Sequence, residues 1–113
     1  MSAQVSVMAR LNWADQVDAA MLRGNSPYNC LDVLRWMREG NATFGISGAM
    51  TGSVWFRPDG IAEICHIAGA WNDDDADWLY RCLMRAVHRR GLVEWTWNGR
   101  RGWRRFLRSK GWI

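Results

Sequence analysis

Apolar residues recur every three or four positions between Asn72 and Gly91, which predicts an amphipathic helix. The apolar face contains Leu79, Cys82, Leu83, Ala86 and Val87. Asn72 is a suitable N-cap, aspartates follow it, and Arg89 and Arg90 stand in the last turn, where the helix dipole favours positive charge. We therefore expect the helix to begin after Asn72 and to end at Gly91.

The first forty residues predict one short strand and two helices. Alternation of apolar and polar positions favours a strand over residues 3–10. Asn12 is expected to cap the first helix and Gly24 to end it. Ser26, followed by proline, is expected to start the second helix, which ends at Gly40. The apolar faces contain Trp13, Val17, Ala20 and Met21 in the first helix, and Cys30, Val33, Leu34 and Met37 in the second.

The middle of the chain has the pattern of β-strands. Apolar segments span residues 43–46, 52–56 and 61–67. The last two flank Arg57-Pro58-Asp59-Gly60, a turn sequence in which proline and glycine supply the required backbone angles. These segments predict a meander of three antiparallel strands.

The C-terminal third adds a strand over residues 92–97 and a basic helix over residues 100–110, and residues 111–113 could begin a further strand. The helix after Asn72 would join two parallel strands, because it forms a crossover between them. The predicted order is β-α-α-β-β-β-α-β-α, in a single α/β (α+β) domain over residues 1–113. Its mixed sheet would carry helices on both faces.

Charge is divided unevenly along the chain, although the net charge is only +4. Residues 1–80 carry five Lys or Arg and ten Asp or Glu, while residues 81–113 carry ten Lys or Arg and one Glu. The molecule is therefore electrically polar, and its C-terminal third suits an acidic partner. A head-to-tail homo-oligomer would also match these two ends.

Composition limits the classes of function. No apolar segment approaches the ~20 residues of a membrane span, and the N-terminus lacks a signal region, so we expect a cytoplasmic protein or one carried in a particle assembled in a cytosol. The three cysteines are scattered, which favours reduced thiols, and no metal-ligand spacing joins them to the two histidines. Neither a membrane partner nor a metal site is expected.

Two C-terminal segments carry a family resemblance. They are Glu94-Trp95-Thr96-Trp97-Asn98-Gly99-Arg100 and Trp103-Arg104-Arg105-Phe106-Leu107-Arg108-Ser109-Lys110-Gly111-Trp112. With the predicted element order, they resemble the strand, the helix and the lysine-leucine-glycine-phenylalanine-like ending of the GNAT superfamily of N-acetyltransferases. The likeness is greatest to small GNAT-like proteins encoded by phages, including an internal core protein of short-tailed phages. It implies a GNAT-like sheet whose closing strands are truncated.

The resemblance implies an acetyl-CoA site between two splayed central strands. These strands would be residues 64–68 and 93–97, and backbone amides at the start of the following helix would hold the pyrophosphate. Glu63 or His66 would serve as the catalytic base. The residues implied at the cofactor are Ile67, Ala68, Gly69, Ala70, Trp71, Asn72, Asn98 and Arg100.

Several positions depart from the family pattern. The implied phosphate loop reads Ala70-Trp71-Asn72-Asp73-Asp74-Asp75, in which carboxylates would repel a pyrophosphate and the indole would hinder close approach of the backbone. Leu107 stands where the family commonly has a tyrosine acid, and it cannot donate a proton. These departures favour a fold that has kept its architecture and lost its chemistry.

The same residues also have structural interpretations. His66 could be a hydrogen-bonded structural histidine, Glu63 a solvated strand residue, and the aspartates after Asn72 helix capping alone. The basic helix could be a solvated face, bind an acidic protein or bind nucleic acid. Its arginines are Arg100, Arg101, Arg104, Arg105 and Arg108.

The whole sequence favours a phage-encoded, GNAT-like protein with degenerate catalytic features. We expect it to act mainly by binding a protein partner, either as a virion component or as a factor directed at the host, in host cytoplasm. One alternative is an acetyl-CoA-dependent N-acetyltransferase. Another is a nucleic-acid-binding module that uses the basic C-terminal helix, whose affinity would fall steeply with salt.

Overall fold

The structure, a computed structural model, describes residues 2–23, 26–97 and 102–111, with the side chains of residues 13–23, 26–97, 105 and 107–111. The elements in these ranges are α1 (Ser2–Arg23), α2 (Cys30–Arg38), β1 (Ala42–Ser47), β2 (Met50–Phe56), β3 (Ala62–Gly69), α3 (Asp73–Arg89), β4 (Trp95–Trp97) and α4 (Gly102–Ser109). Over these ranges, the helices lack the length and apolar character that a membrane-spanning segment requires.

The four strands form one mixed sheet in the order β1-β2-β3-β4. β1, β2 and β3 are antiparallel neighbours, and β4 runs parallel to β3 with Trp95 opposite Ala62. Gly60 has a φ of 84° and donates its amide to the Arg57 carbonyl at 3.1 Å, which closes the turn between β2 and β3. The predicted meander and the parallel crossover through α3 are confirmed.

α3 covers one face of the sheet and approaches it closely at two glycines. Gly45 of β1 and Gly52 of β2 are opposite each other in the strand register. A Cβ atom would lie 3.2 Å from Leu79 Cδ2 at the first glycine and 3.3 Å from Leu83 Cδ1 at the second. Both leucines are buried in the larger core cluster. The missing side chains therefore let the helix lie close to the sheet.

α1 and α2 cover the opposite face. Val17 and Met21 of α1 and Val33 of α2 pack around Cys65 of β3 in a second cluster. Trp36 of α2 stacks on Trp55 of β2, with ring centroids 3.9 Å apart and planes inclined by 2°. The prediction of helices on both faces is thus confirmed, and the sheet is the middle layer of three.

The predicted first strand is wrong, because residues 3–10 form the first part of α1. This segment is rich in Ala, Gln, Met and Arg, which favour helices. A helix that already exists over residues 13–23 gains one backbone hydrogen bond for each residue added. Asn12 accordingly lies inside α1 and does not cap it, while Gly24 falls outside the described residues.

The predicted start of the second helix is also wrong. α2 begins at Cys30, not at Pro27, and its N-cap is Asn29. Asn29 Oδ1 accepts hydrogen bonds from the amides of Leu31 at 2.9 Å and Asp32 at 3.4 Å, while the Asp32 carboxylate accepts from the Asn29 amide at 2.9 Å. This reciprocal capping box satisfies amides at the observed start of α2 and therefore favours a helix that begins after Asn29.

One helix face and one strand boundary also differ from the prediction. Cys82 is exposed, and the buried face of α3 includes Ala76 and Met84 in its place. β4 is shorter than the predicted strand over residues 92–97. Residues 98–101 and 112–113 lie outside the described residues, so the predicted start of the basic helix and the final strand stay predictions.

Leu83→Ala should destabilise the protein by about 2–5 kcal/mol, because it opens a cavity between α3 and Gly52. Cys82→Ala is the matched control on the same helix, and its effect on the free energy of unfolding should stay within about 0.5 kcal/mol. Urea denaturation measures both values. An equal decrease in the free energy of unfolding in the two variants would contradict the observed orientation of α3, in which Leu83 is buried and Cys82 is exposed.

Candidate functional site

A β-bulge in β3 determines which face His66 occupies. Ser53 is opposite His66 and Val54 is opposite Ile64, so Cys65 is the extra residue of the strand. Cys65 consequently packs with α1 and α2, and the next residue, His66, is hydrogen-bonded to Thr51, whose hydroxyl bonds Gln16 of α1. Two consecutive side chains therefore lie toward α1 and α2, which regular strand alternation would not allow.

His66 is the centre of a chain of hydrogen bonds that links β3 to α1 and that is buried at the histidine and partly exposed at Gln16. Its Nδ1 lies 2.6 Å from Ser53 Oγ, and its Nε2 lies 2.9 Å from Thr51 Oγ1. Thr51 Oγ1 donates to Gln16 Oε1 at 2.5 Å, and Gln16 Nε2 donates to the Ala49 carbonyl at 3.4 Å. Because Thr51 gives its one hydroxyl proton to Gln16, it must accept from His66 Nε2. Nδ1 is then the acceptor for the Ser53 hydroxyl.

This arrangement holds His66 neutral. The residue is 3% exposed, and burial lowers the pKa of its ring to about 3. Throughout the part of the chain whose side chains are described, buried polar side-chain atoms have hydrogen-bond partners. Both nitrogens of His66 are engaged inside the core, so the ring offers no free lone pair for the proton of a substrate.

Glu63 lies on the same strand but belongs to a different group of contacts. Its carboxylate accepts a hydrogen bond from Arg57 Nη1 at 3.4 Å, and Arg57 also pairs with Asp59 at 2.5 Å. Burial raises the pKa of the Glu63 carboxyl, and the Arg57 charge opposes this shift only in part. The structure thus places Glu63 and His66 on one strand, each with its own partners.

The segment implied to hold a pyrophosphate begins at the end of β3. Ile67 belongs to the core beneath α3, and Ala68 is buried. Gly69 has a φ of 122° and pairs with Met50. A Cβ atom at this glycine would collide with the Ala49 carbonyl oxygen. Close approach of the neighbouring strand therefore explains this glycine without a ligand.

Carboxylates surround the start of α3. Asn72 Oδ1 accepts a hydrogen bond from the Asp75 amide at 3.1 Å, which confirms the predicted cap. Asp75 itself accepts from Ser47 Oγ at 2.8 Å, and the indole Nε1 of Trp71 donates to Asp73 Oδ1 at 2.8 Å. Since the helix start is acidic and Asn72 already engages one of its amides, these residues do not suit a pyrophosphate.

The basic C-terminal helix is described only in part. Arg105 and Arg108 of α4 are exposed, whereas Leu107 is fully buried. Lys110 Nζ lies 3.9 Å from the Asp73 carboxylate, so the end of α4 is next to the start of α3. Asn98, Arg100 and Arg101 lie outside the described residues, as does the side chain of Arg104.

A basic groove on α3 was missed by the sequence analysis. We call it the α3 groove. Two neighbouring stripes line it, formed by Arg81, Arg85 and Arg89 and by Tyr80, Met84 and His88. The three arginines and the histidine are exposed. Their regular spacing of four residues is visible in the sequence, but it was overlooked because the charges at the end of α3 were assigned to the helix dipole alone.

Comparison with known proteins yields no relative from which a function could be transferred. No protein-family model, curated protein or solved structure matches this chain. Membership of the GNAT superfamily therefore stays a prediction that rests on the sequence resemblance.

The neutral state of His66 predicts a loss of stability in acid. The unfolded ring takes up a proton below a pKa of about 6.5, whereas the folded ring stays neutral down to about pH 3. The free energy of unfolding should therefore fall by up to about 1.4 kcal/mol per pH unit as the pH decreases through this window. His66→Gln should show a shallower decrease in urea denaturation between pH 7 and about pH 4.

His88→Gln is the control for this measurement, because that ring is exposed. If both glutamine variants flatten the pH dependence equally, the effect does not come from burial of His66.

Thr51→Val should destabilise the fold by about 1–3 kcal/mol, because it leaves the His66 Nε2–H without an acceptor and Gln16 without a donor. Thr51→Ser keeps the hydroxyl and should cost clearly less. Thermal or chemical denaturation of the two variants provides the comparison. A serine variant as unstable as the valine variant would show that the methyl group, not the hydrogen-bond chain, carries the effect.

Proposed function

We propose that this protein is a GNAT-like binding protein that has no acetyltransferase chemistry. The observation that carries the proposal is the environment of His66, whose two ring nitrogens are both hydrogen-bonded beneath α1. A general base needs a lone pair within reach of the proton that it removes. The lone pair of His66 is instead directed at the Ser53 hydroxyl in the core.

The environment of Glu63 supports the same proposal. A raised pKa is a property of many catalytic carboxylates, but structural ion pairs also perturb pKa values. Here the carboxylate is paired with Arg57, which is itself held by Asp59. Glu63 is therefore assigned to the hairpin between β2 and β3, where it stabilises the turn.

The start of α3 gives the second line of support. An acetyl-CoA site of the GNAT type uses backbone amides there, and the positive end of the helix dipole would attract the pyrophosphate. In this chain Asp73, Asp74 and Asp75 occupy that first turn. Their charges favour the helix itself and oppose a bound anion. We therefore propose that the first turn of α3 has a structural role.

Binding would use the basic C-terminal part of the chain. It carries most of the positive charge, and described arginines of α3 and α4 in this part are exposed. A partner with negative charge complements these residues. With the resemblance to phage-encoded proteins, this favours a virion component or a host-directed factor over an enzyme.

Isothermal titration with acetyl-CoA tests the proposal, with CoA as the matched ligand control. We expect no saturable heat with either ligand at concentrations on the order of 1 mM, the range in which binding free energy falls to about 4 kcal/mol. Asp73→Asn combined with Asp74→Asn removes two exposed carboxylates from the helix start and should increase any residual affinity. Stoichiometric binding to the parent protein, with release of CoA in the presence of an amine, would contradict the proposal.

A further inference from the structure

We infer that the α3 groove binds single-stranded nucleic acid. This inference rests on the proposed binding function and specifies its partner. The described residues that line this surface belong to α3, whereas the basic C-terminal helix is α4.

The positive charges of the groove form a row. Arg81, Arg85 and Arg89 recur every four residues, so they are separated by about 6 Å along the helix axis. Arg81 forms an ion pair with Asp77 at 3.0 Å. Within the described residues, Arg85 and Arg89 form no ion pair. Arg85 and Arg89 are therefore available to bind an anion. Because they are spaced along the helix axis, an extended polyanion could contact both with successive charges.

The second stripe of the groove adds a surface for bases. Tyr80 is half-buried and supplies an aromatic ring beside the arginines, whereas Met84 is buried and belongs to the core. The Tyr80 ring makes an edge contact with Trp95 at a centroid distance of 5.8 Å, and Trp95 contacts Trp97 at 5.7 Å. These contacts restrain the ring. Proteins that bind single strands combine such restrained aromatic rings with a basic groove that follows the phosphates.

The combination distinguishes among possible polyanions. An acidic peptide could pair with Arg85 and Arg89 but would make no use of the aromatic ring. A duplex presents its phosphates, while its bases stay stacked inside. A single strand can use both stripes, because its backbone follows the arginines and an unstacked base reaches Tyr80. The groove is therefore assigned to single-stranded DNA or RNA.

Fluorescence anisotropy with labelled oligothymidylate and oligouridylate tests this assignment and separates DNA from RNA. The full chain should bind at least one of them with an affinity that falls steeply as salt increases. Arg85→Gln combined with Arg89→Gln should weaken binding by about tenfold or more at low salt and make the salt slope shallower by about 1.4, since each phosphate contact contributes about 0.7 for single strands. Glutamine keeps the helix propensity of arginine and removes its charge.

Arg23→Gln combined with Arg38→Gln is the matched control. It removes the same charge from exposed positions on α1 and α2, at the other face of the sheet. The control should bind like the parent protein. Equal weakening in both double variants would overturn the α3 site, because net charge alone would then explain the affinity.

Tyr80→Leu separates the aromatic contribution from charge. It should weaken oligonucleotide binding on the order of fivefold and leave binding of polyglutamate unchanged. A duplex bound more tightly than the single strand, or polyglutamate bound while oligonucleotides are not, would overturn this inference and leave the proposed binding function in place. Acetyl transfer by the parent protein would instead overturn the proposed function.

Discussion

The close contact between α3 and two facing glycines is the constraint on which the rest of the fold depends. Gly45 and Gly52 lie opposite each other on adjacent strands, and Leu79 and Leu83 fill the space above them. A helix held at that distance has only one rotation that buries its leucines. The same rotation directs Arg81 and its stripe to the solvent, so the position of the α3 groove follows from the absence of two side chains.

The opposite face of the sheet combines apolar packing with a chain of hydrogen bonds. This chain joins Ser53, His66, Thr51 and Gln16. Each hydroxyl or ring proton of this chain is donated to one defined acceptor. Apolar packing tolerates small changes in register, whereas a buried polar chain loses its partners when a strand shifts by one residue. The bulge at Cys65 brings this chain into position. Apolar contacts thus fix the rotation of α3, and polar contacts fix the register of β2 and β3.

The elements with strong local signals could be predicted from the sequence. The turn at Arg57 to Gly60, the three strands and the cap at Asn72 each depend on residues close together in the chain. The first strand could not be predicted, because alternation over residues 3–10 was outweighed by continuation of α1. Residues with good helix propensity and a formed helix beside them provide a stronger constraint than three alternating apolar positions.

The candidate site was predictable in position but not in environment. Glu63 and His66 were placed correctly on a central strand, and nothing in the sequence indicated that a bulge would turn His66 toward Ser53 and Thr51. Bulges depend on the partner strand, so a single segment does not reveal them. The arginine row of α3 had a local signal in its spacing. Its significance required knowledge of which helix face the sheet covers.

The distribution of charge along α3 has a consequence for how the molecule meets its surroundings. The helix begins with Asp73, Asp74 and Asp75 and ends in arginines about 25 Å away, so it places opposite electrical poles at the two ends of one rigid element. A charged surface exerts a torque on such a body while it is still a Debye length away. The protein would then approach a negatively charged partner with the basic end of α3 directed toward it. A larger fraction of encounters would occur in the orientation that allows binding.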